Sequence, residues 1–511
     1  MNAGDFDTFY LPNDFLFGVA NSAFQTEGGI NGEGQPQNNF ATWERSGKIE
    51  PSGDSVRFWE KPEEHIELAK SLGLNAFRMG IEWARIQPTF VDRIGPPPEW
   101  DMRAVDRYAD IVEMIMKAGM APIVTLHHFT HPAWLGRDPW LQELMPGVFV
   151  EYASRMVQEL NERLIARGAN PVKFWITMNE PNLLPLNVYI TKELPTDRGG
   201  FACARQAWDN LLCAHVYLYD RIHDLYKDKG WPMPEVSYNT FCMSVYDFDK
   251  IFYDLMRAPD LGVPENGLKD FIKARRRAWN DRFLKLAEYR WGAKSQQTAY
   301  YRRYRYICSM LFNQLNLKKT ISAIYHSPRK RKIDFIALDV YDPFVAGAFY
   351  VDLSSVWKRK INEPLFRPPW WKWRHDREHF RAMIEAHHEN NSGFPIYILE
   401  NCIANQQEKT GPAKPRPDGQ RREQYIKWSI GEVVDCIRTG IPIKGYVYWT
   451  LVDNYEWGSF ETRLGLYDYD HKAGKIGETS GLGERAGEAY ARIVAALKSG
   501  DAETIRKVLQ D

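Results

Sequence analysis

The sequence predicts an α/β fold: a (β/α)8 TIM barrel with long insertions in its βα loops. Three observations predict it. Eight short apolar runs alternate with helix-like segments along the whole chain. Seven of those runs end in a polar or aromatic residue, and no linker divides the chain into two cores. The length of 511 residues would admit two to four domains. Barrels with insertions nonetheless run this long as one unit, so residues 1–511 are read as a single domain.

Each element follows from local signals. Strand one is read from Phe15 to Phe24 and ends in Gln25. A helix over Pro62–Leu72 starts on a proline and stops before Gly73, as helix boundaries prefer. Strand two, Ala76–Trp83, carries Arg78. The next helix, Met102–Lys117, repeats Val105, Tyr108, Ile111, Val112, Ile115 and Met116 at helical spacing. Strand three, Ala121–Leu126, ends in His127 and His128. A helix over Val148–Ala166 leads to strand four, Phe174–Met178, which ends abruptly in Asn179, Glu180 and Pro181. Helix Phe201–Lys229 precedes strand five, Glu235–Phe241. Strand six, Ile333–Tyr341, carries Asp339 and Tyr341. Strand seven, Pro395–Glu400, has Glu400 at its tip. Strand eight, Lys444–Leu451, carries Trp449, and helix Gly483–Leu497 closes the series.

Composition narrows the function classes. Lys plus Arg and Asp plus Glu both number 66, so no global charge points to nucleic acid. Aromatic residues make up 14% of the chain, and flat apolar faces suit sugar rings as well as large cores. The six cysteines are scattered and show neither metal-ligand nor disulfide-framework spacing, so no metal is expected. The first residues lack a basic region followed by an apolar run, and no apolar run approaches the roughly 18 residues of a membrane span. A cytoplasmic location is expected. Nothing in the sequence addresses oligomeric state.

A lone strand-end Glu more often caps a neighbouring loop than does chemistry. Here Glu180 and Glu400 end two strands of one predicted parallel barrel, so both emerge at the C-terminal face, where barrel enzymes keep their sites. Two carboxyl groups facing each other across a pocket are the working parts of glycoside hydrolysis. One insertion stands apart. From Lys269 to Lys332 there are 18 Lys plus Arg against three acids, a balance of +15 within a basic, aromatic-rich insertion at about 262–332. A Trp-rich loop follows at about 351–375. Basic helices interleaved with Trp suit peripheral contact with an anionic membrane. The simpler reading is a solvated helical face with a Trp-lined loop roofing the site.

Three motifs occur in order: Phe17-Gly-Val-Ala-Asn-Ser-Ala-Phe-Gln25-Thr-Glu27-Gly28, Thr177-Met-Asn179-Glu180-Pro181, and Trp449-Thr-Leu-Val-Asp453-Asn454-Tyr-Glu456-Trp457. With them the chain resembles the family 1 glycoside hydrolases, the β-glucosidase and β-galactosidase group, from Phe15 to about Tyr490. The resemblance implies a retaining exo-β-glycosidase that takes a small-molecule β-glycoside and needs no metal or cofactor. It implies Glu180 as acid/base and Glu400 as nucleophile. Gln25, His128, Asn179, Trp449, Glu456 and Trp457 would bind the sugar, with Arg78 and Tyr341 beside the nucleophile. That chemistry suits these residue types: the nucleophile must be ionised, and a cation and a hydroxyl donor favour its charge.

The chain also departs from the family pattern. Leu399 stands for a Thr and Cys402 for a Gly beside the nucleophile. Asp339 stands for an Asn two residues before the tyrosine, bringing a third carboxyl toward the pair. The segment from Trp457 to Leu466 is shorter than usual, with Leu464 near a usual Phe. The 6-phospho branch's Ser and Lys-x-Tyr pattern after Trp457 is missing, so a phosphorylated sugar is not expected. Two other readings stand beside hydrolysis: a glycolipid-directed transglycosidase at a membrane surface, and a non-catalytic sugar-binding relative. Retention of both glutamates argues against the last.

Overall fold

The computed structural model describes residues 11–91, 93–313, 316–341, 369–373, 375–391 and 393–510. Its barrel strands are β1 (Leu16–Ala20), β2 (Ala76–Gly80), β3 (Ala121–Thr125), β4 (Phe174–Ile176), β5 (Glu235–Ser237), β6 (Asn239–Phe241), β7 (Ile336–Asp339) and β8 (Ile396–Glu400). A two-residue strand, β9 (Asn405–Gln406), lies outside the barrel, and β10 (Ile443–Trp449) completes it. The sheet runs β5-β4-β3-β2-β1-β10-β8-β7-β6, and every pairing is parallel.

The two ends of that order, β5 and β6, are consecutive pieces of one predicted strand interrupted at Tyr238. The sheet therefore closes into a barrel of eight staves, as the eight apolar runs predict. The Tyr253 hydroxyl causes the break. It accepts the Ala337 N–H at 3.0 Å and shares its proton between the carbonyls of Tyr238 and Ala337, at 2.8 and 2.7 Å. A side chain has taken hydrogen bonds that a neighbouring strand would otherwise make.

Nearly every strand residue is buried, as expected of a parallel sheet covered by helices on its outside. Small residues set the closest approaches: a Cβ on Gly18 of β1 would lie 2.8 Å from the Ala76 carbonyl oxygen of β2. The helices lie close to their expected bounds, at Pro62–Ser71, Met102–Lys117, Met145–Ala166, Phe201–Lys229 and Ala486–Ser499. The Asp101 side chain caps the second by accepting from Arg103 N, and Gly230, at φ +66°, ends the fourth in the left-handed region.

Several strands are shorter than the apolar runs. β1 stops at Ala20, and Gln25 rides on a helical turn, Ala23–Thr26. There the Thr26 hydroxyl donates to Ser22 O at 2.8 Å and the Ser22 hydroxyl to Gln25 Oε1 at 2.6 Å. Local side-chain bonds of this kind compete with strand pairing. Similarly β2 stops at Gly80, and Glu82 caps the turn Trp83–Ile86.

The basic insertion runs between β6 and β7 as helices Ile251–Arg257, Leu268–Trp291, Gln296–Asn313 and Lys318–His326. Part of its charge is matched by acids from elsewhere in the chain. Arg276 pairs with Asp247 at 2.6 Å, Arg282 with Glu385 and Glu389, Lys319 with Glu143, and Arg329 with Asp224 at 2.6 Å. The local +15 thus overstates the charge this region presents. Most of the Trp-rich loop, including Trp357, lies outside the described residues. Its end is described: a single turn, Trp370–Lys372, with Trp373 buried behind it. Among the described residues no helix is long and apolar enough to cross a membrane.

One buried hydroxyl ties the N-terminal end of β4 to two helices. The Tyr226 oxygen accepts from Asn161 Nδ2 and Trp175 Nε1, both at 2.8 Å, and donates to the Val172 carbonyl. Replacing it leaves two buried donors unpaired, at about 1–3 kcal/mol for such a group. Tyr226→Phe should therefore lower the denaturant midpoint by an amount worth about 2 kcal/mol, and an unchanged midpoint would contradict this account.

Candidate active site

The strand ends deliver their polar residues to one cleft of about 470 Å³ at the C-terminal face of the barrel. Gln25, His128, Asn179, Glu180, Tyr341, Glu400, Trp449, Glu456 and Trp457 all line it. Arg78 and Asp339 lie just beneath, with no exposed surface.

Glu400 ends β8, and both its oxygens are engaged. Arg78 Nη1, from β2, donates to Oε1, and the Tyr341 hydroxyl donates to Oε2 at 2.6 Å. The rest of the Arg78 fork is also used: Nη2 donates to Asn179 Oδ1 at 2.6 Å and Nε to Thr125 Oγ1 at 3.2 Å. One guanidinium thus links β2, β3, β8 and the loop after β4. Burial alone works against its charge; the Glu400 and Asp339 carboxylates outweigh that and hold its pKa above the ordinary value.

Glu180 reaches the cleft through a tight turn. After β4 the Asn179 N–H donates to His127 O at 2.8 Å, and Glu180 itself sits at φ +40°. Such backbone is uncommon for a residue with a side chain and costs about 1–3 kcal/mol. The turn is held because the Glu180 carbonyl accepts from Leu183 N and Leu184 N, both at 3.0 Å. Oxygens of Glu180, Asp339 and Glu400 all approach within 4.8 Å of one another. Three carboxylates this close form a donor set that attracts a cation, and the cation beside them is the Arg78 guanidinium.

These environments separate the carboxyl groups. Burial first, then the charges of Asp339 and Glu400, push Glu180 well above the usual carboxylate range. Burial and Glu400 likewise push Asp339 well up. Burial, helped by the Arg78 charge, holds His128 well below the ordinary histidine range, so its ring stays neutral.

The far end of the cleft pairs an amide with a carboxylate and lines up rings. Gln25 Nε2 donates to Glu456 Oε2 at 2.7 Å. The His128 ring stacks near-parallel to Trp449 and to Trp457, each with centroids 5.7 Å away. The outer wall comes from the segment after β4 (Asn187, Lys192) and from Trp43, Lys48, Trp370 and Trp371. Leu399 and Cys402, the two departures beside Glu400, are buried away from solvent.

One polar residue was not singled out from the sequence. Asn239, at the start of β6, donates from Nδ2 to Asn179 Oδ1 at 2.7 Å and to Asp339 Oδ2. Strand five was the one apolar run without a polar tip, and Asn239 in the middle of that run was the available signal. Serving both acceptors uses both amide hydrogens, so Asn239 orients Asn179 and Asp339 together.

A parallel (β/α)8 barrel carrying opposed carboxyl groups at its C-terminal face has the form of a glycosidase. Residues 7–480 match the family model described as glycosyl hydrolase family 1, and the chain belongs to that family of glycoside hydrolases. It is 25% identical over 483 residues to a 6-phospho-β-galactosidase of Staphylococcus aureus, covering 90% of this chain and 94% of that protein. The fold resembles the β-glucosidase from Thermotoga maritima in complex with deoxynojirimycin, with a TM-score of 0.66 and 21% identity over 96% of this chain and 99% of that one. It also resembles an enzyme from Alicyclobacillus herbarius called AHE, with a TM-score of 0.65 and 18% identity over 96% and 100% of the two chains.

The raised pKa of Glu180 has a consequence for stability. A carboxyl whose folded pKa lies above its unfolded value stabilises the fold at low pH, and that contribution is lost as pH rises through the folded pKa. Glu180→Gln removes the group. Its melting temperature relative to the parent should therefore be higher at pH 9 than at pH 5; an equal difference at both would contradict the shift.

Proposed function

We propose that the chain is a retaining exo-β-glycosidase of non-phosphorylated β-glucosides, or of the related β-galactosides and β-fucosides. Glu400 is the nucleophile and Glu180 the acid/base. The observation that carries this reading is the asymmetry between two carboxyl groups less than 5 Å apart. Glu400 accepts from a guanidinium and a phenol, which favours its charge, while Glu180 is held protonated by burial and by neighbouring charge. A separation of about 5 Å suits direct attack by one carboxylate; inverting enzymes leave about 6.5–9.5 Å for an intervening water.

The reaction then runs as a double displacement. Glu400 attacks the anomeric carbon as Glu180 protonates the departing oxygen, giving a covalent glycosyl-enzyme. Glu180, now a carboxylate, takes a proton from water, which attacks the same carbon and releases the sugar with its configuration retained. Glu456 and Gln25 bind sugar hydroxyls, and Trp449 and Trp457 offer flat faces to the ring. The Glu456 carboxylate and the neutral His128 ring at this end of the cleft disfavour a phosphate on the sugar.

Glu400→Ala should abolish hydrolysis of an aryl β-glucoside, and added azide or formate should restore turnover. The anion enters from the face the carboxylate vacated, so the product has inverted configuration. Near-normal activity without an added anion would overturn the assignment.

A second reading is supported by one surface. On helix Gln296–Asn313 a solvent-facing stripe carries Arg303, Tyr306, Ile307 and Met310; the last three are 68%, 53% and 50% exposed. Cations beside exposed aromatic and aliphatic groups fit an anionic lipid surface, where the glycosyl group would pass to a lipid-borne sugar instead of water. The protein should then co-sediment with anionic vesicles at low salt more than with neutral ones, and Tyr306→Ser with Ile307→Ser should reduce the difference. Equal sedimentation would overturn this second reading and leave hydrolysis untouched.

A further inference from the structure

Asp339 sits beneath the cleft at the end of β7, fully buried, and its two oxygens meet different neighbours. Oδ2 accepts from Asn239 Nδ2. Oδ1 has no N–H or O–H donor among the described residues. What Asp339 does face is another carboxyl, that of Glu180, with an oxygen of each within 4.8 Å of the other. Two carboxylates cannot hydrogen-bond to each other, because neither has a donor. A proton between them supplies one.

The surrounding charges demand that proton. Glu400, Arg78, Glu180, Tyr341, Cys242 and Tyr253 are the titratable or charged groups that act on Asp339 or respond to it. Burial pushes Tyr341, Cys242 and Tyr253 up, so all three are neutral across the working range. His128 is neutral as well. Three carboxyl groups therefore share one guanidinium, and Arg78 is already bonded to Glu400. Asn239 favours the charged form of Asp339, whereas among the described residues no backbone or side-chain N–H donates to the Glu180 carboxyl, so the proton rests on Glu180.

We propose that Asp339 is a positioning residue that keeps one proton between its own carboxyl and that of Glu180, holding Glu180 as the loaded acid of the site. The inference rests on the reading of Glu180 as acid/base and deepens it. When a glycosidic oxygen arrives, the Glu180 O–H bond breaks and the leaving oxygen gains the proton. The glycosidic C–O bond breaks as a C–O bond to Glu400 forms. The Glu400 charge is consumed in that ester as Glu180 becomes charged, so the number of negative groups near Arg78 stays constant. Through the second step the Asp339 charge keeps Glu180 basic and ready to take a proton from water. With asparagine at 339, as in the family pattern, Glu180 lacks this charged neighbour and is a stronger acid and a weaker base.

Infrared titration reads the proton without any substrate. The parent-minus-Glu180→Gln difference spectrum should hold a carboxylic-acid carbonyl band that persists above pH 7. That difference separates Glu180 from other buried acids such as Glu82 and Asp249, whose pKa values burial also raises. In Asp339→Asn, close in shape and still able to accept from Asn239, the band should titrate about one to two pH units lower. The alkaline limb of kcat/KM on a poor-leaving-group glycoside should move down equally. An unmoved band or limb, or a shift to higher pH, overturns the proposal, as does a parent-minus-Glu180→Gln difference spectrum without that band. That last arm tests the idea even if the Asp339 variant does not fold. A parent enzyme that shows this titration yet hydrolyses no β-glycoside would instead overturn the proposed function and leave the shared proton standing.

Discussion

The buried Arg78 guanidinium is the interaction on which this end of the barrel depends. A buried cation is costly unless its charge and its donors are all met. Here Glu400, Asn179 and Thr125 meet them from three directions. The planar fork suits such a junction, because its donors are fixed relative to one another. Fixing Arg78 fixes Glu400 on one side and Asn179 on the other. Asn179 precedes Glu180 in sequence, so the two opposed carboxyl groups are referenced to a single rigid group.

That arrangement also explains why so much unfavourable chemistry is tolerated in one place. Three carboxyl groups crowd together, Glu180 adopts left-handed backbone, and a histidine is buried without charge. Each feature costs stability, and each is held by the closed sheet around it. The barrel supplies a large apolar core at its centre and N-terminal end, leaving the C-terminal rim free to carry strain. Sites built on strand ends of a closed sheet gain their positional accuracy from exactly this division of labour between a rigid body and a polar rim.

Charge behaves differently away from the rim. The helices between β6 and β7 look strongly basic as a stretch of sequence, yet Arg276, Arg282, Lys319 and Arg329 find carboxylates on other elements. Local charge counts describe a chain segment, whereas the field at a surface depends on what the fold brings beside it. The exposed stripe around Tyr306 remains after that matching.

The sequence by itself determined the order and kind of the elements, because apolar periodicity, Pro62, Gly73 and the polar break at Asn179-Glu180-Pro181 are local signals. It also placed Glu180 and Glu400 at the C-terminal side of two strands of one parallel sheet, Glu400 as the last residue of β8 and Glu180 in the turn after β4. Only the tertiary structure decided which groups meet. Arg78 bonds to Glu400 across 322 residues and Gln25 to Glu456 across 431, separations that barrel closure alone removes. The contact between Asp339 and Glu180 and the bridging role of Asn239 belong to this second kind. So does the break at Tyr238, where a hydroxyl from a later helix displaces strand pairing. Periodicity is written in neighbours along the chain, but hydrogen bonds across a pocket are made by residues whose nearness exists only after the sheet has closed.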